Sequence, residues 1–148
     1  MLSSKIVRAH EFDNPPRLSS TYFTGADLRM ADLRGVDIRK TIMNYADLRG
    51  AALRDACRRG TQLYRADLRH ISWVGASLTG ADLTGANLGD SDGLDASQLA
   101  DTLIDNTTLL PQSLQGNPWV AARIADCERA NAIEDHGCPP RTAQPPSG

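Results

Sequence analysis

Large apolar residues recur at every fifth position between residues 16 and 90. This stretch divides without a gap into fifteen blocks of five, such as ADLRM at 26–30 and ADLRG at 31–35. The central position is a large apolar residue in fourteen of the blocks, and the first is small or β-branched in all but the first block. A period of five fits neither a helix, which repeats about every 3.6 residues, nor a strand, which repeats about every two. The pattern predicts a coil that turns a corner every five residues.

The central residues are expected to point into this coil and to form its core. A large side chain that alternates with a small one fills a narrow interior, and each buried Leu, Ile or Phe contributes about 1.5–3 kcal/mol. The fifth position is often Gly or polar, which suits a tight turn. The predicted core consists of Leu18, Phe23, Leu28, Leu33, Ile38, Met43, Leu48, Leu53, Leu63, Leu68, Trp73, Leu78, Leu83 and Leu88.

The tandem Ala-(Asp/Asn)-Leu-x-x blocks resemble those of the pentapeptide-repeat proteins. The resemblance implies a mainly β fold, a right-handed quadrilateral parallel β-helix in which four blocks make one square coil. Fifteen blocks then give about four coils, stacked at a spacing of about 4.8 Å. In that family the first and central residues point inward and the other three point outward. A C-terminal α-helical cap and tail are expected to follow the coils.

Beyond residue 90 the five-residue period ends and helix signals replace it. Asp95 and Gln98 form a capping box that predicts a short helix over residues 96–103. The chain is therefore divided into an N-terminal arm or cap (1–15), the repeat β-helix (16–90), a helical C-terminal cap (91–136) and a disordered tail (137–148).

A longer helix is expected near the C-terminus. Asn117 and Pro118 supply an N-cap and a first-turn proline, and the helix is predicted to run to about Glu134, with Gly137 as its stop. Its apolar stripe is predicted to consist of Val120, Ile124, Cys127 and Ala130.

One block breaks the repeat, because ACRRG places Arg58 at the central, inward position. An unpartnered guanidinium in the core would cost several kcal/mol. The favoured interpretation is a local bulge that turns Ala56 or Cys57 inward; Arg58 reaching out through a corner and a buried, paired arginine are the alternatives. Trp73 also fills a central slot, where its bulk is expected to widen the coil.

Three of the four outward faces carry mixed charge, if blocks four apart stack. One face has Asp27, Asp47 and Asp67 beside Arg29, Arg49 and Arg69; a second has Asp32 with Arg34 and Arg54; a third has Arg17, Asp37, Arg39 and Arg59. Stacked like charges repel by roughly 1 kcal/mol even in water, and the neighbouring opposite charges offset that repulsion. These three faces are predicted to be solvated and mutually neutralised.

The fourth face differs, and we refer to it as the neutral face. Its outward positions are Tyr22, Thr24, Ile42, Asn44, Gln62, Tyr64, Asp82 and Thr84, with Tyr45 and Arg65 at its corners. An apolar patch rimmed by polar groups is typical of a contact surface, where tyrosine is favoured. Either the C-terminal helix or the N-terminal arm covers this face, or Tyr22, Ile42, Tyr45 and Tyr64 bind another protein.

Composition narrows the functional class further. The chain has 148 residues, 41% hydrophobic content and a net charge of −2, and no apolar run approaches the length of a membrane span. Its three histidines are scattered, and no nucleophile, metal-ligand or phosphate-loop motif is present. No catalytic, cofactor or metal site is predicted. Three cysteines cannot pair completely, which favours a reducing, cytoplasmic setting.

The sequence therefore predicts a non-enzymatic scaffold or protein-interaction module of bacterial type, with an unidentified protein partner. The resemblance offers an alternative, since some family members mimic DNA, inhibit or protect type II topoisomerases and confer quinolone resistance. Residues 16–90 carry eleven basic and eight acidic residues, a net charge of +3, where a DNA mimic would be acidic. Direct nucleic-acid binding is a lesser alternative, because the arginines alternate with aspartates. A homodimer through the C-terminal helix is considered possible.

Overall fold

Blocks four apart along the chain stack on one another. The computed structural model describes residues 17–54, 56 and 59–132. Parallel bridges join the second residue of a block to the same position twenty residues later, from Arg17 with Asp37 to Ser72 with Asp92. Each bridge is a single residue long, and no longer strand forms in the described part of the chain. Residues 17–92 thus repeat in coils of twenty residues.

Backbone hydrogen bonds hold successive coils together. The Ile42 amide donates to the Thr21 carbonyl at 2.9 Å, and the Phe23 amide donates to the Ile42 carbonyl at 2.7 Å. The same pair of bonds recurs from coil to coil on the faces that begin with Tyr22 and Asp27, so the backbone polar groups there are satisfied by the coils on either side. The repeat coils therefore keep the same length up to residue 92.

The corners between blocks are tight turns in the left-handed backbone region. The amide of a block's first residue donates to the carbonyl of the preceding central residue, as Ala26 does to Phe23 at 3.0 Å. The fifth residue then has a φ near +60°, which glycine adopts without strain but which Tyr45, with a φ of 60°, adopts at a cost.

The predicted core residues lie inside the stack. The twelve from Leu28 to Leu88 are buried, including Trp73, whereas Leu18 and Phe23 are only partly buried. These two lie in the first described coil, where no described block stacks beneath them. Buried first-position threonines bond to the backbone: the Thr41 and Thr61 hydroxyls donate to the carbonyls of Leu18 and Ile38 at 2.8 and 2.9 Å. The interior is thus apolar, with its hydroxyls satisfied.

The short helix after residue 90 is a 3₁₀ helix, Ala96–Leu99, that ends earlier than the predicted 103. Its capping box is present, with the Asp95 carboxylate accepting from two amides and the Gln98 side chain accepting from the Asp95 amide. The Gln98 side chain also donates to the carbonyls of Trp73 and Ala76, at 2.9 and 2.8 Å. Those bonds attach the short helix to the coil beneath it, and this attachment favours a short helix over the longer one that was predicted.

The coil register lengthens above this point. Bridges join Asp82 to Leu103 and Asn87 to Leu109, at separations of 21 and 22 residues. A second 3₁₀ helix, Gln112–Leu114, follows. The last turn of the stack is therefore irregular and provides the platform on which the C-terminal helix lies.

The long helix, α1, is Pro118–Ala132. Asn117 is its N-cap, because the side-chain oxygen accepts from the amides of Trp119 and Val120 at 3.0 and 3.2 Å. Of the predicted stripe, Val120, Cys127 and Ala130 are buried and Ile124 is half-buried.

Two further residues of α1, Trp119 and Arg123, are buried although the stripe omitted them. The Arg123 side chain is only 1% exposed, and its guanidinium donates to the Thr102 carbonyl at 2.7 and 3.2 Å. Its charge is thereby used to bond α1 to the end of the coil.

Cys127 is disulfide-bonded. Its Sγ lies 3.8 Å from the Thr102 carbonyl oxygen, a packing contact, since a disulfide sulfur has no hydrogen to donate. The predictions for the N-terminal arm, Arg58, the helix end near Glu134, Gly137 and the tail concern positions outside the described residues. Within the described ranges, none of the helices has the length and apolarity needed to cross a bilayer.

The stacked register predicts that Leu48→Asp unfolds the protein. Leu48 is fully buried, and an unpaired carboxylate there costs several kcal/mol, a large part of the stability of a small domain. Circular dichroism and thermal melting measure the loss, with Thr24→Asp at an exposed position as the control. A Leu48→Asp protein that melts like the wild type would contradict the register.

Candidate partner-binding face

The first charged face is a ladder of paired Asp and Arg side chains. Within a block, the arginine two residues after the aspartate donates two hydrogen bonds to the carboxylate. Arg29 donates to Asp27 at 2.8 and 2.6 Å. The same two bonds recur on this face in the pairs Asp47–Arg49 and Asp67–Arg69. They also occur on the second and third charged faces, in Asp32–Arg34 and Asp37–Arg39 respectively. Each carboxylate also accepts from the backbone amide of its own arginine, as Asp27 does at 3.2 Å.

Successive rungs of this ladder also contact each other. The Arg29 side chain lies 3.8 Å from the Asp47 carboxylate, and that of Arg49 lies 3.7 Å from Asp67. The side-chain hydrogen bonds from Arg29 lower the pKa of Asp27 to about 2, and those of Arg49 and Arg69 likewise lower the pKa values of Asp47 and Asp67. The positive and negative charges of the ladder are thus paired, and the first charged face carries no net charge from these residues.

The neutral face brings two of its four predicted contact residues, Tyr45 and Tyr64, into side-chain contact. The rings of Tyr45 and Tyr64 meet edge to face, with centroids 5.4 Å apart, and the Arg65 guanidinium lies 5.3 Å from the Tyr64 ring centroid. Ile42 lies directly between Tyr22 and Gln62 in the stacked column. Tyr22 and Ile42 are thus stacked neighbours on the same face as the tyrosine pair.

Polar bonds fix the floor of the neutral face. The Asn44 side chain accepts from the Tyr64 amide at 3.1 Å and donates to the Gln62 side chain at 3.4 Å. Asp82 bonds the Thr84 amide at 3.0 Å. The tyrosines consequently project from a backbone whose own groups are paired.

The neutral face is open with respect to α1. Tyr22 is 78% exposed and Tyr45 54% exposed, whereas Ile42 and Tyr64 are half-buried. Helix α1 instead contacts the end of the stack, where Arg123 bonds Thr102 and the Glu128 carboxylate accepts from the Asn106 amide at 3.3 Å. The expectation that the C-terminal helix lies on this face is wrong for the described part of α1.

Other exposed apolar side chains lie away from the neutral face. Met30, Val74 and Leu109 are 79%, 58% and 56% exposed. The sequence pattern did not single them out, although Met30 and Val74 stand at outward positions where a polar residue is usual. They lie on separate blocks of other faces and are bridged to no tyrosine, so they do not extend the cluster.

Comparison with known proteins agrees with this geometry. The family model for pentapeptide repeats matches eight copies, over residues 17–55, 31–69 and 61–92. The chain is a member of the pentapeptide-repeat family. Proteins of this family form right-handed quadrilateral β-helices, and the match indicates no catalytic family.

Solved structures of other pentapeptide-repeat proteins resemble this one. A protein from the thylakoid lumen of Arabidopsis thaliana is 28% identical with a TM-score of 0.56, over 67% of this chain and 70% of that chain. HetL, from the cyanobacterium Nostoc sp. strain PCC 7120 and involved in the regulation of heterocyst differentiation, is 26% identical with a TM-score of 0.47. That match covers 66% of this chain but only 44% of HetL.

The plasmid-mediated fluoroquinolone resistance protein QnrB1 is more distant. It is 13% identical with a TM-score of 0.33, over 72% of this chain and 64% of its own. A search among curated proteins found no significant match.

The depressed aspartate pKa values predict acid sensitivity of this pentapeptide-repeat protein. An unfolded aspartate titrates near 3.9. Because folding lowers the pKa of Asp27 to about 2, the ladder's contribution is complete above about pH 4 and is lost as the pH falls toward 2. Melting temperatures from pH 7 to pH 2 should therefore decline mainly below pH 4.

The matched variant replaces Asp27, Asp47 and Asp67 by Asn. Asn87 already occupies the next rung, where its side chain accepts from the Gly89 amide at 3.0 Å, so asparagine keeps the backbone bond but not the charge. This variant should show a smaller decline between pH 4 and 2. An acid profile identical to that of the wild type would contradict the assignment.

Proposed function

We propose that this pentapeptide-repeat protein is a non-enzymatic interaction module that binds another protein through the neutral face. The observation that carries the proposal is that all three tyrosines of the chain, Tyr22, Tyr45 and Tyr64, stand on one face that α1 leaves open. Tyrosine is enriched in protein interfaces because its ring supplies contact area and its hydroxyl supplies a hydrogen bond.

The mechanism is passive and depends on the rigidity of the coil. We propose the family's right-handed β-helix of about four coils, since bridges twenty residues apart extend from Arg17 to Asp92. Each outward side chain is anchored to a backbone that is bonded to the coils around it. Binding to a preformed surface loses less conformational entropy than binding that must order a loop.

The alternative of a DNA-mimic topoisomerase inhibitor receives less support. A mimic of DNA needs unpaired negative charge, whereas Asp27, Asp47 and Asp67 are each gripped by an arginine. We do not propose a homodimer through α1, because the apolar stripe of this helix is already buried within its own chain. We therefore place the partner contact on the neutral face alone.

Localisation is a separate part of the proposal. The odd cysteine number favours the cytoplasm, while the disulfide at Cys127 favours an oxidising compartment. Our proposal of the cytoplasm rests on the cysteine number, and the disulfide at Cys127 is the observation that opposes it, so the redox state of Cys127 in the cell is the test. Alkylation of free thiols during lysis, followed by mass spectrometry, should find Cys127 alkylated; an unalkylated, disulfide-linked Cys127 would contradict this localisation.

The neutral face is tested by comparing capture from the native cell by the wild type and by Ile42→Arg/Tyr64→Asp. The variant should lose a specific protein, because it places two charges in the cluster centre. Met30→Asp, which charges an exposed apolar corner on another face, is the matched control and should retain that protein. The purified partner should then bind the wild type and Met30→Asp equally and the double variant at least about tenfold more weakly. Equal binding to all three proteins would overturn the proposal.

Tyr45→Gly separates stability from binding. Glycine relieves the left-handed backbone cost of roughly 1–2 kcal/mol, while loss of the ring pair with Tyr64 costs about 0.5–1.5 kcal/mol. These terms oppose each other, so denaturant unfolding should change by less than about 1 kcal/mol while partner binding weakens. Met30→Gly, at a corner with a φ of 58° and no ring pair, provides the comparison. A loss above about 2 kcal/mol in Tyr45→Gly would show that the ring is part of the chain's own packing.

A further inference from the structure

A groove runs along the corner that follows the third charged face, and we refer to it as the basic groove. It has a volume of about 670 Å³, within the range of small-molecule sites. Three cations, Arg39, Lys40 and Arg59, line it together with the serines at 19 and 20 and the glycines at 60 and 80. This site is independent of the neutral face.

The groove exists because the two corner residues that follow Lys40 in the stack are glycines and have no side chains. Residues 60 and 80 are glycines with φ values of 70° and 68°, so backbone forms the groove floor. The Lys40 stem leans over this floor, since a Cβ added at Gly60 would lie 3.7 Å from the Lys40 Cγ. The ammonium group is thus carried on a stem that borders an open channel.

The charges of the basic groove are not neutralised, contrary to the sequence-based expectation for this face. Arg39 is gripped by Asp37 at 2.9 and 2.7 Å. The block of Arg59 has Cys57 where the other forks have an aspartate. Among the described residues, neither Arg59 nor Lys40 forms an ion pair, and both are exposed.

The positive charge is local. Arg17, Arg39, Lys40 and Arg59 share this face with Asp37, and Asp101 follows above the groove, where its carbonyl accepts from the Gly80 amide at 2.7 Å. These described residues carry a net charge of +2 on a protein whose net charge is −2. Arg39 and Arg59 hold the same position in successive coils, so their backbones lie about 4.8 Å apart. Two cationic side chains on backbones with this spacing repel each other when they approach, and a bound anion would relieve that repulsion.

We propose that the basic groove binds the phosphate groups of a small molecule. Arginine and lysine are the usual ligands of phosphate oxygens, and the hydroxyls of Ser19 and Ser20 add neutral donors at the groove edge. The unpaired cations belong to two adjacent coils, a height that suits one or two phosphate groups and is short for a nucleic-acid strand. Arg59 and Lys40 supply the charge, and Gly60 and Gly80 supply the room.

The test is a titration of the ¹⁵N-labelled protein with inorganic pyrophosphate at low ionic strength, followed by NMR. Saturable shifts should centre on the amides of Ser20, Lys40 and Gly60, and binding should weaken as salt is added. Lys40→Ala/Arg59→Ala should weaken binding at least about tenfold, since two charge-assisted contacts are lost. Both residues are exposed, so the variant should melt close to the wild-type temperature.

The control, Arg29→Ala/Arg34→Ala, removes the same charge from two exposed arginines on other faces and should leave binding within about twofold of wild type. Orthophosphate and an eight-residue thymidine oligonucleotide form two further arms. Tighter binding of pyrophosphate than of the oligonucleotide supports a small phosphate-bearing ligand, whereas tighter binding of the oligonucleotide at the same residues would overturn the small-molecule assignment. Absence of saturable shifts, shifts away from the groove, or equal weakening in both double variants would overturn the proposal.

Discussion

The narrow interior of the coil is the constraint on which the rest of the structure depends. Each block must place one large and one small side chain inward, and each coil must keep twenty residues so that its amides meet the carbonyls of its neighbours. A charge at Leu48 or a changed block length would disturb the core and the backbone bonds together. The outward positions carry no such requirement. Chemistry on this protein can therefore vary by face while the scaffold stays fixed.

The faces use this freedom in different ways. The Asp–Arg forks convert stacked charge into paired, neutral rungs, and the cross-coil contacts of Arg29 and Arg49 tie the rungs together. The neutral face substitutes tyrosines and amides that have no charge to satisfy. The basic groove arises where Cys57 replaces the aspartate that would have paired with Arg59. Arg59 therefore lacks the paired carboxylate that the other forks have, and this difference underlies our proposal of an anion site on this face.

Much of the fold could be predicted because the repeat fixes its register locally. The twenty-residue stacking, the buried residues from Leu28 to Leu88 and the N-caps Asp95 and Asn117 each depend on side chains that are adjacent in sequence or in the repeat. Burial of Arg123 could not be predicted, because its partner is the Thr102 carbonyl, whose position depends on the irregular last turn. Whether α1 covers the tyrosines likewise depended on tertiary packing.

The central claim is that the neutral face is rigid and open in the free protein, and fluorine NMR tests it directly. Because the chain has three tyrosines and all stand on this face, 3-fluorotyrosine labelling reports on nothing else. We expect three sharp resonances, with strong relaxation by a soluble paramagnetic probe for Tyr22 and Tyr45 and weaker relaxation for half-buried Tyr64. Protection of all three tyrosines from the probe would show that the chain covers its own face and would contradict the account.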